Sequence, residues 1–270
     1  MSRYDAMFEA LGREGAGAFI PFVVLGDPDM ETSLRVVESL IVGGADCLEL
    51  GIPFSDPTAD GPTIQQAVVR ALEGGATPEK CWGLLARVRE GHPGLPIGLL
   101  VYANLVAHDR IDRFYARAAE TGVDSVLVAD VPTLEAPPFV DAALAAGVAP
   151  VLIAPPNASD DRLRHIARLS DGYTYVVTRA GVTGAEQEAE LGSGSIIERL
   201  KAFGAPPPVV GFGVSRPEHV RAARRMGAAG AISGSAVVSR VTQHLGDEAA
   251  MHESLRAFVR QMRAASRDAL

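Results

Sequence analysis

Short apolar runs alternate with stretches of helical periodicity along most of the chain. The eight runs are nearly continuous in apolar character, which is typical of parallel strands that are covered on both faces. They lie at Ala18–Leu25, Ala45–Leu50, Ile97–Val101, Asp124–Val128, Val148–Ile153, Tyr173–Val177, Pro208–Gly211 and Gly230–Ser233.

The segments between these runs place apolar residues three and four positions apart, as amphipathic helices do. Several begin near Asp, Ser or Pro and several end at Gly, the residues that favour helix starts and stops. These segments are Thr32–Val42, Thr63–Leu72, Pro78–Arg89, Asp109–Thr121, Pro137–Ala146, Asp160–Leu169, Ser195–Phe203 and Pro217–Met226.

Eight alternations of strand and helix predict a single (β/α)8 TIM barrel domain over residues 1–270. An open, doubly wound sheet is the alternative, because alternation alone does not prove that the sheet closes. About 50 residues separate the starts of the second and third runs, and this interval holds two helical stretches. We therefore expect an extra helix after strand 2, and another at the N-terminus, where Met1–Gly12 has helical spacing.

Candidate chemistry lies where strands end, because barrel active sites are built from the loops that follow the strands. Glu49 stands between Leu48 and Leu50 near the end of the second run. Strand alternation places it on the face opposite the two leucines, which is the barrel interior if the leucines pack under helices. Burial would raise its pKa toward the value that a general acid or base needs. The alternative is a Glu paired with a buried basic residue.

Asp56 and Asp60 follow in a loop shaped by three prolines and Gly61. A loop Asp more often forms a turn than a catalytic site, but Asp60 lies directly before the start of a helix, where the loop returns over the barrel mouth. Asp27 and Asp130 also follow strands, and for these two the favoured interpretation is turn or helix capping.

Glycine-rich turns follow the last three strands, at residues 181–184, 211–215 and 234–235. Glycine lets backbone N–H groups approach an anion closely, and barrels often bind phosphate at the loops after strands 7 and 8. Together the three turns predict a phosphate site, although each alone is weak. Apolar residues near strand ends would line a pocket for a flat aromatic ring: Phe22, Leu100, Tyr102, Leu127, Ile153, Tyr175, Phe212 and Ile232.

Composition narrows the function classes. Hydrophobic residues make up 47% and charged residues 21%, as in globular domains. The net charge of −8 gives no support to binding of nucleic acid or an anionic membrane. No apolar run approaches the roughly 18 residues of a membrane span, and the N-terminus lacks the apolar core of a signal peptide. The two cysteines and six histidines show no metal-ligand or disulfide spacing. We expect a cytoplasmic protein without a metal.

Several strings resemble, in the same order, those of the tryptophan synthase alpha subunit, and they extend from Pro21 to Ala236. The longest are LELGIPFSDPTADGPTIQ after strand 2 and YTYVVTRAGVTGAE after strand 6. The others are PFVVLGDPD, YANLV, VDSVLVADVP, PPNASDD, GFGVS and GAAGAISGSA.

This resemblance implies a (β/α)8 barrel lyase that cleaves indole-3-glycerol phosphate to indole and glyceraldehyde 3-phosphate, a step of tryptophan biosynthesis. It implies that the chain needs no cofactor and that it works with a PLP-containing beta subunit in an α2β2 heterotetramer. The family's two mobile segments correspond to Pro53–Asp60 and Arg179–Leu191. Its catalytic carboxylates correspond to Glu49 and Asp60, and its phosphate-binding backbone to Gly184, Gly213, Gly234 and Ser235. Other site contacts correspond to Tyr175 and Thr183, and the indole wall to Phe22, Leu100 and Phe212.

The chain departs from the family pattern at three positions. Thr58 stands where an apolar residue is common, Ala180 where Ser is common, and Gly192 where Pro is frequent. These changes bear on loop closure and partner coupling more than on the chemistry. Two alternatives stay open: another phosphate-binding barrel such as a sugar-phosphate isomerase, and a non-catalytic barrel that binds a phosphorylated ligand or only activates a partner.

Overall fold

The computed structural model describes residues 1–177 and 195–268, and its parallel strands form one sheet. The strands follow one another around this sheet in the order β5-β4-β3-β2-β1-β9-β8-β7-β6. Their bounds are β1 Ala18–Val24, β2 Leu48–Gly51, β3 Ile97–Val101, β4 Ser125–Val128, β5 Ala149–Val151, β6 Ile153–Ala154, β7 Thr174–Val177, β8 Pro208–Gly211 and β9 Gly230–Ser233.

The two strands at the ends of this order, β5 and β6, are consecutive in the chain and separated only by Leu152. β5 pairs with β4, whereas β6 pairs with β7. The Tyr175 N–H donates to the Leu152 carbonyl at 3.0 Å, which continues the second pairing. The single predicted strand Val148–Ile153 is therefore two strands, and the sheet returns on itself through them. A doubly wound open sheet is excluded.

Helices surround the barrel. α1 precedes β1, and both α3 and α4 lie between β2 and β3. The short helix α5 lies where the sequence predicts no element, because five residues are too few for a periodic signal. The bounds are α1 Arg3–Arg13, α2 Met30–Val42, α3 Pro62–Glu73, α4 Pro78–Gly91, α5 Ala103–Ala107, α6 Ile111–Thr121, α7 Pro137–Ala145, α8 Asp160–Leu169, α9 over 195–202, α10 Pro217–Arg225, α11 Ser235–Gln243 and α12 Glu248–Ala265.

Strand alternation divides the core into two layers. Leu48 and Leu50 belong to the outer cluster, which the helices cover. Cys47 belongs to the inner cluster, together with Ile20 and Ile232. A residue one position from each leucine therefore faces the barrel interior, as the sequence predicts for Glu49.

Charged side chains hold the end of the barrel where the strands begin. The Asp124 carboxylate accepts from Arg3 and Arg89 and from the Ile97 N–H, each at 2.8 Å. Its side chain is only 10% exposed, so these bonds are shielded from water and salt. The Asp124 carboxylate thus connects α1, α4 and the start of β3.

We expect Asp124→Ala to lower the free energy of unfolding by about 2 kcal/mol, because it leaves the half-buried Arg89 guanidinium without its carboxylate. Urea unfolding followed by circular dichroism measures this loss. Asp109→Ala is the matched control: Asp109 pairs with Arg113 at the surface, with both side chains about two-thirds exposed, and its loss should cost less than about 0.5 kcal/mol. Equal effects of the two substitutions would contradict the prediction.

Candidate functional site

A cavity of about 350 Å³ opens where the strands end. Most of the predicted site residues line it: Phe22, Glu49, Asp60, Leu100, Leu127, Ile153, Tyr175, Phe212, Gly213, Ile232, Gly234 and Ser235. Tyr102 is not among the lining residues, and the predicted contacts Thr183 and Gly184 lie outside the described residues. A ring-sized apolar space therefore meets two carboxyl groups and the glycine turns after β8 and β9.

Glu49 is buried in the floor of this cavity, with 2% of its surface exposed. Its Oε1 accepts a hydrogen bond from the Tyr173 hydroxyl at 2.7 Å. Burial raises the pKa of Glu49 to about 7, and the Tyr173 hydrogen bond, the smaller effect, acts in the opposite direction. Among residues 1–177 and 195–268, no basic side chain lies within ion-pair distance of the Glu49 carboxyl. Glu49 can change protonation near neutral pH.

Asp60 lies on the cavity wall, at the end of the loop after β2. Its backbone N–H donates to the Pro57 carbonyl at 3.1 Å, and its own carbonyl accepts from the Gln65 side chain at 2.8 Å. Partial burial raises the pKa of Asp60, and a side-chain hydrogen bond from Tyr102 opposes that rise. The loop and the start of α3 therefore hold the Asp60 backbone beside the apolar space.

The other acidic residues near strand ends have structural contacts. Asp130 accepts from the Ala103 N–H at 2.7 Å and so caps α5, which confirms the capping interpretation. Asp27 is buried and forms a two-pronged ion pair with Arg70, at 2.8 and 2.9 Å, rather than a cap. Asp56 is exposed and accepts from the Ser55 hydroxyl. Each of these three carboxylates has a described partner outside the cavity.

The ring of Tyr175 lies directly against the backbone of Gly211. A Cβ at position 211 would lie 2.1 Å from the Tyr175 ring, far inside van der Waals contact. Only glycine leaves room for this ring, which then lines the cavity from β7. The pair therefore determines how Tyr175 faces the cavity.

The turns after β8 and β9 form one wall of the cavity. Phe212 has φ of 69° and Gly213 of 75°, so two successive residues adopt the left-handed region, which costs energy for a residue with a side chain. Gly234 is the N-cap of α11, and Ser235 is its first residue. The N-terminus of a helix favours an anion because its first N–H groups have no partner within the helix. This wall suits a phosphate group.

Sequence reasoning missed several residues of the site. Tyr173 holds Glu49, and the alternation that places Tyr175 inside also places Tyr173 inside, so this signal was present. Ile64 lines the cavity from the apolar face of α3. Helix periodicity predicts that face, but it does not predict which cavity the face lines. The other lining residues that were missed are Ala59, Gly61, Ala129 and Ala236, whereas Val214 and Ser215 belong to the predicted turn 211–215.

The described residues, 1–177 and 195–268, contain neither a cluster of metal ligands nor a membrane-spanning helix. No group of three or more His, Cys, Asp or Glu side chains there is arranged to hold a metal ion. None of the helices in residues 1–177 and 195–268 combines the length and apolar character needed to cross a membrane.

Comparison with known proteins identifies the family. A sequence model of the tryptophan synthase alpha chain family matches residues 8–267. The chain belongs to the tryptophan synthase alpha chain family. The alpha chain of Cronobacter sakazakii is 57% identical over 266 residues, which cover 98% of this chain and 99% of that one. The chain is therefore an enzyme of the lyase type.

Solved structures of the family have the same fold. Tryptophan synthase subunit alpha from Legionella pneumophila superposes with a TM-score of 0.88 at 29% identity, covering 98% of each chain. A chain of the tryptophan synthase α2β2 complex from Pyrococcus furiosus superposes with a TM-score of 0.81 at 34% identity, covering 92% of this chain and 98% of that one. Membership in this family and the barrel agree with the resemblance seen in the sequence.

Glu49→Gln should stabilise the protein above pH 7 and leave it nearly unchanged near pH 4. The folded-state pKa of Glu49 is about 7, against 4.5 for an ordinary Glu. The carboxyl is thus protonated in both states below pH 4.5, and the cost of burying its charge develops as the pH rises to 7. Above pH 7 the gain is roughly 3 kcal/mol.

Urea unfolding at pH 4.5 and pH 8 measures this difference. Glu90→Gln, at an exposed position of α4, is the control and should have the same small effect at both pH values. A Glu49→Gln protein that is less stable than the parent at pH 8 would show that Glu49 does not bear this burial cost.

Proposed function

We propose that this chain catalyses the retro-aldol cleavage of indole-3-glycerol phosphate to indole and glyceraldehyde 3-phosphate, as the alpha subunit of tryptophan synthase in L-tryptophan biosynthesis. The observation that carries the proposal is a buried carboxyl with a pKa of about 7, Glu49, in the same apolar cavity as a second carboxyl, Asp60. Family membership supports the same assignment.

The substrate has three parts, and the cavity offers a matching surface for each. The flat indole ring fits the apolar side chains, of which Phe22, Leu100 and Phe212 are the proposed wall. The phosphate fits the turn at Gly213 and the start of α11 at Gly234 and Ser235. The glycerol chain then spans the space between them, beside Glu49. Binding at both ends orients the bond that breaks.

Cleavage requires a proton on the ring carbon that bears the chain and removal of the proton from the adjacent hydroxyl. The protonated Glu49 carboxyl first donates to the ring carbon, which gives the indolenine tautomer. The resulting carboxylate takes the proton of the hydroxyl while the carbon–carbon bond breaks. The electron pair of that bond returns to the indole ring. The products are indole and an aldehyde, and Glu49 regains its proton.

Positive charge develops on the ring nitrogen during this sequence. We assign Asp60 to stabilise that charge as an anion beside the ring N–H. The two carboxyls thus need opposite protonation states at the start of the reaction, Glu49 neutral and Asp60 ionised. Their environments are consistent with this division, because Glu49 is the more deeply buried of the two.

The chain itself needs no cofactor for these steps. We propose that it assembles with a PLP-containing beta subunit into an α2β2 heterotetramer in the cytoplasm, and that indole passes to that subunit. The Pyrococcus furiosus relative, whose structure is of an α2β2 complex, supports this assembly. The negative net charge favours neither nucleic acid nor an anionic membrane as a partner.

The two alternatives have less support. A sugar-phosphate isomerase would use the phosphate wall, but it has no need for an apolar space of ring size beside a buried carboxyl. A barrel that only activates a partner has no need to bury the Glu49 carboxyl, for which residues 1–177 and 195–268 supply no basic partner.

Indole release from indole-3-glycerol phosphate tests the two assigned carboxylates. We expect Glu49→Gln to lower turnover by about 10³-fold and Asp60→Ala by about 10²-fold, with affinity for the phosphate group kept. Asp56→Ala, an exposed carboxylate of the same loop, is the control and should leave turnover of the isolated chain within about twofold. Normal cleavage by Glu49→Gln would remove the acid–base assignment, and normal cleavage by Asp60→Ala would remove the charge assignment.

Addition of a tryptophan synthase beta subunit to the isolated chain tests the assembly. We expect slow indole release by the chain alone and a rise of at least tenfold with the partner, because loop closure commonly controls turnover in such barrels. Serum albumin at equal concentration is the control. A folded chain that binds a phosphate ligand but releases no indole under either condition would favour the non-catalytic alternative.

A further inference from the structure

Tyr102 follows β3 and is the N-cap of α5. The sequence suggests it as a wall of the ring pocket, but it stands behind the loop after β2 and is 3% exposed. We propose that Tyr102 is a positioning residue that acts through Asp60, by holding the start and the end of the loop Pro53–Asp60 in place. This inference rests on the proposed function, in which Asp60 is the anion beside the ring nitrogen.

Two different parts of Tyr102 contact two different parts of the loop. Its ring stacks on Phe54, near the start, with centroids 5.6 Å apart and planes 27° from parallel. Its hydroxyl oxygen accepts from the Ala59 N–H at 3.2 Å, near the end. The six residues from Phe54 to Ala59 are therefore held at both ends by one side chain.

The same hydroxyl also reaches Asp60. A tyrosine hydroxyl has one proton to donate besides its acceptor sites. Because the oxygen accepts from the Ala59 N–H, this proton is free to point toward the carboxyl group of the next residue, Asp60, and the interaction of the two side chains lowers the pKa of Asp60. The Tyr102 hydroxyl thus orients the Asp60 carboxylate and counteracts the effect of its burial.

Tyr102 is itself fixed by the next strand end. Asp130, after β4, accepts from the Ala103 N–H at 2.7 Å, and the Ala129 N–H donates to the Val101 carbonyl at 2.8 Å. The loops after β2, β3 and β4 are therefore connected through Tyr102 and its neighbours. A rigid tyrosine is the reason that Asp60, a loop residue, has a fixed place.

Because the ring and the hydroxyl of Tyr102 contact different residues, one substitution can remove the hydroxyl contacts and keep the ring contact. Tyr102→Phe keeps the stacking on Phe54 and removes only the hydroxyl bonds to Ala59 and Asp60. Tyr115→Phe is the matched control, because Tyr115 is another buried tyrosine, on α6, whose ring packs on Phe114 instead. Loss of a buried hydroxyl as such affects both variants, whereas loss of the Asp60 contact affects only the first.

The experiment measures kcat and KM for indole release as a function of pH in both variants, and the carboxyl pKa of Asp60 by carbon-13 NMR. For the NMR measurement the chains are labelled at aspartate, and the Asp60 signal is assigned as the one that Asp60→Asn lacks. We expect Tyr102→Phe to lower kcat about tenfold with KM within twofold, and Tyr115→Phe to change neither.

Tyr102→Phe should shift the pH dependence of kcat, because it removes a contact that lowers the pKa of Asp60. Without the hydroxyl, burial acts on Asp60 unopposed, so its pKa rises. The acid limb of the kcat profile moves to higher pH by about half a unit to one unit, because a higher pH is then needed to ionise Asp60. In the Asp60→Asn background, Tyr102→Phe should add less than a twofold loss.

The NMR titration separates this inference from the proposed function, because it requires no turnover. A higher Asp60 pKa in Tyr102→Phe supports the contact even if Asp60→Asn keeps full activity, a result that would instead remove Asp60 from the mechanism. An unchanged Asp60 pKa overturns the inference. Equal kinetic losses from Tyr102→Phe in the parent and in the Asp60→Asn background would also overturn it.

Discussion

The removal of the Glu49 carboxyl from water is the constraint on which the site depends. It is possible only because the parallel sheet returns on itself at Leu152, so that alternate side chains of β2 face an interior that other strands complete. In an open sheet, helices on both faces would leave the same position at a helix–sheet interface. In the closed barrel the Tyr173 hydroxyl is instead the hydrogen-bond partner of this carboxyl among residues 1–177 and 195–268. The chemistry assigned to Glu49 is therefore a property of the closed sheet as much as of the residue.

Carboxyl groups have different partners at the two ends of the barrel. Where the strands begin, charge is neutralised in dense networks such as the one around Asp124, which connect helices to strands and leave little access to water. Where they end, the carboxyls of Glu49 and Asp60 are held by hydroxyl groups and have no described ion pair. A hydroxyl orients a carboxylate without fixing its charge state as firmly as a guanidinium does. This difference separates residues that stabilise the fold from residues whose proton must move.

The periodicity of the sequence predicted the alternating strands and helices, the strand ends and the inward direction of Glu49, because these follow from local alternation. It favoured a barrel but could not establish that the sheet closes. It did not show that the fifth strand is split at Leu152, since that break depends on which neighbour each half pairs with. It did not predict the contacts of Tyr102 with the loop after β2 either, because they join residues more than 40 positions apart and depend on the path of that loop. No residue pattern encodes that path. Thr183, Gly184 and the segment Arg179–Leu191 remain predictions from the resemblance.

Helix α1, which precedes the first strand, packs against residues from the middle of the chain. Its Tyr4 reaches into the barrel, donates or accepts at the Ser125 hydroxyl at 2.8 Å, and packs on Tyr173 with ring centroids 5.6 Å apart. Tyr173 in turn holds Glu49. During synthesis, this first helix leaves the ribosome long before β4 and β7 exist, so it has to wait for partners that are about 120 and 170 residues away. The contacts of Tyr4 with β4 and with Tyr173 therefore form only after most of the barrel has been synthesised, and the surroundings of Glu49 are complete only then.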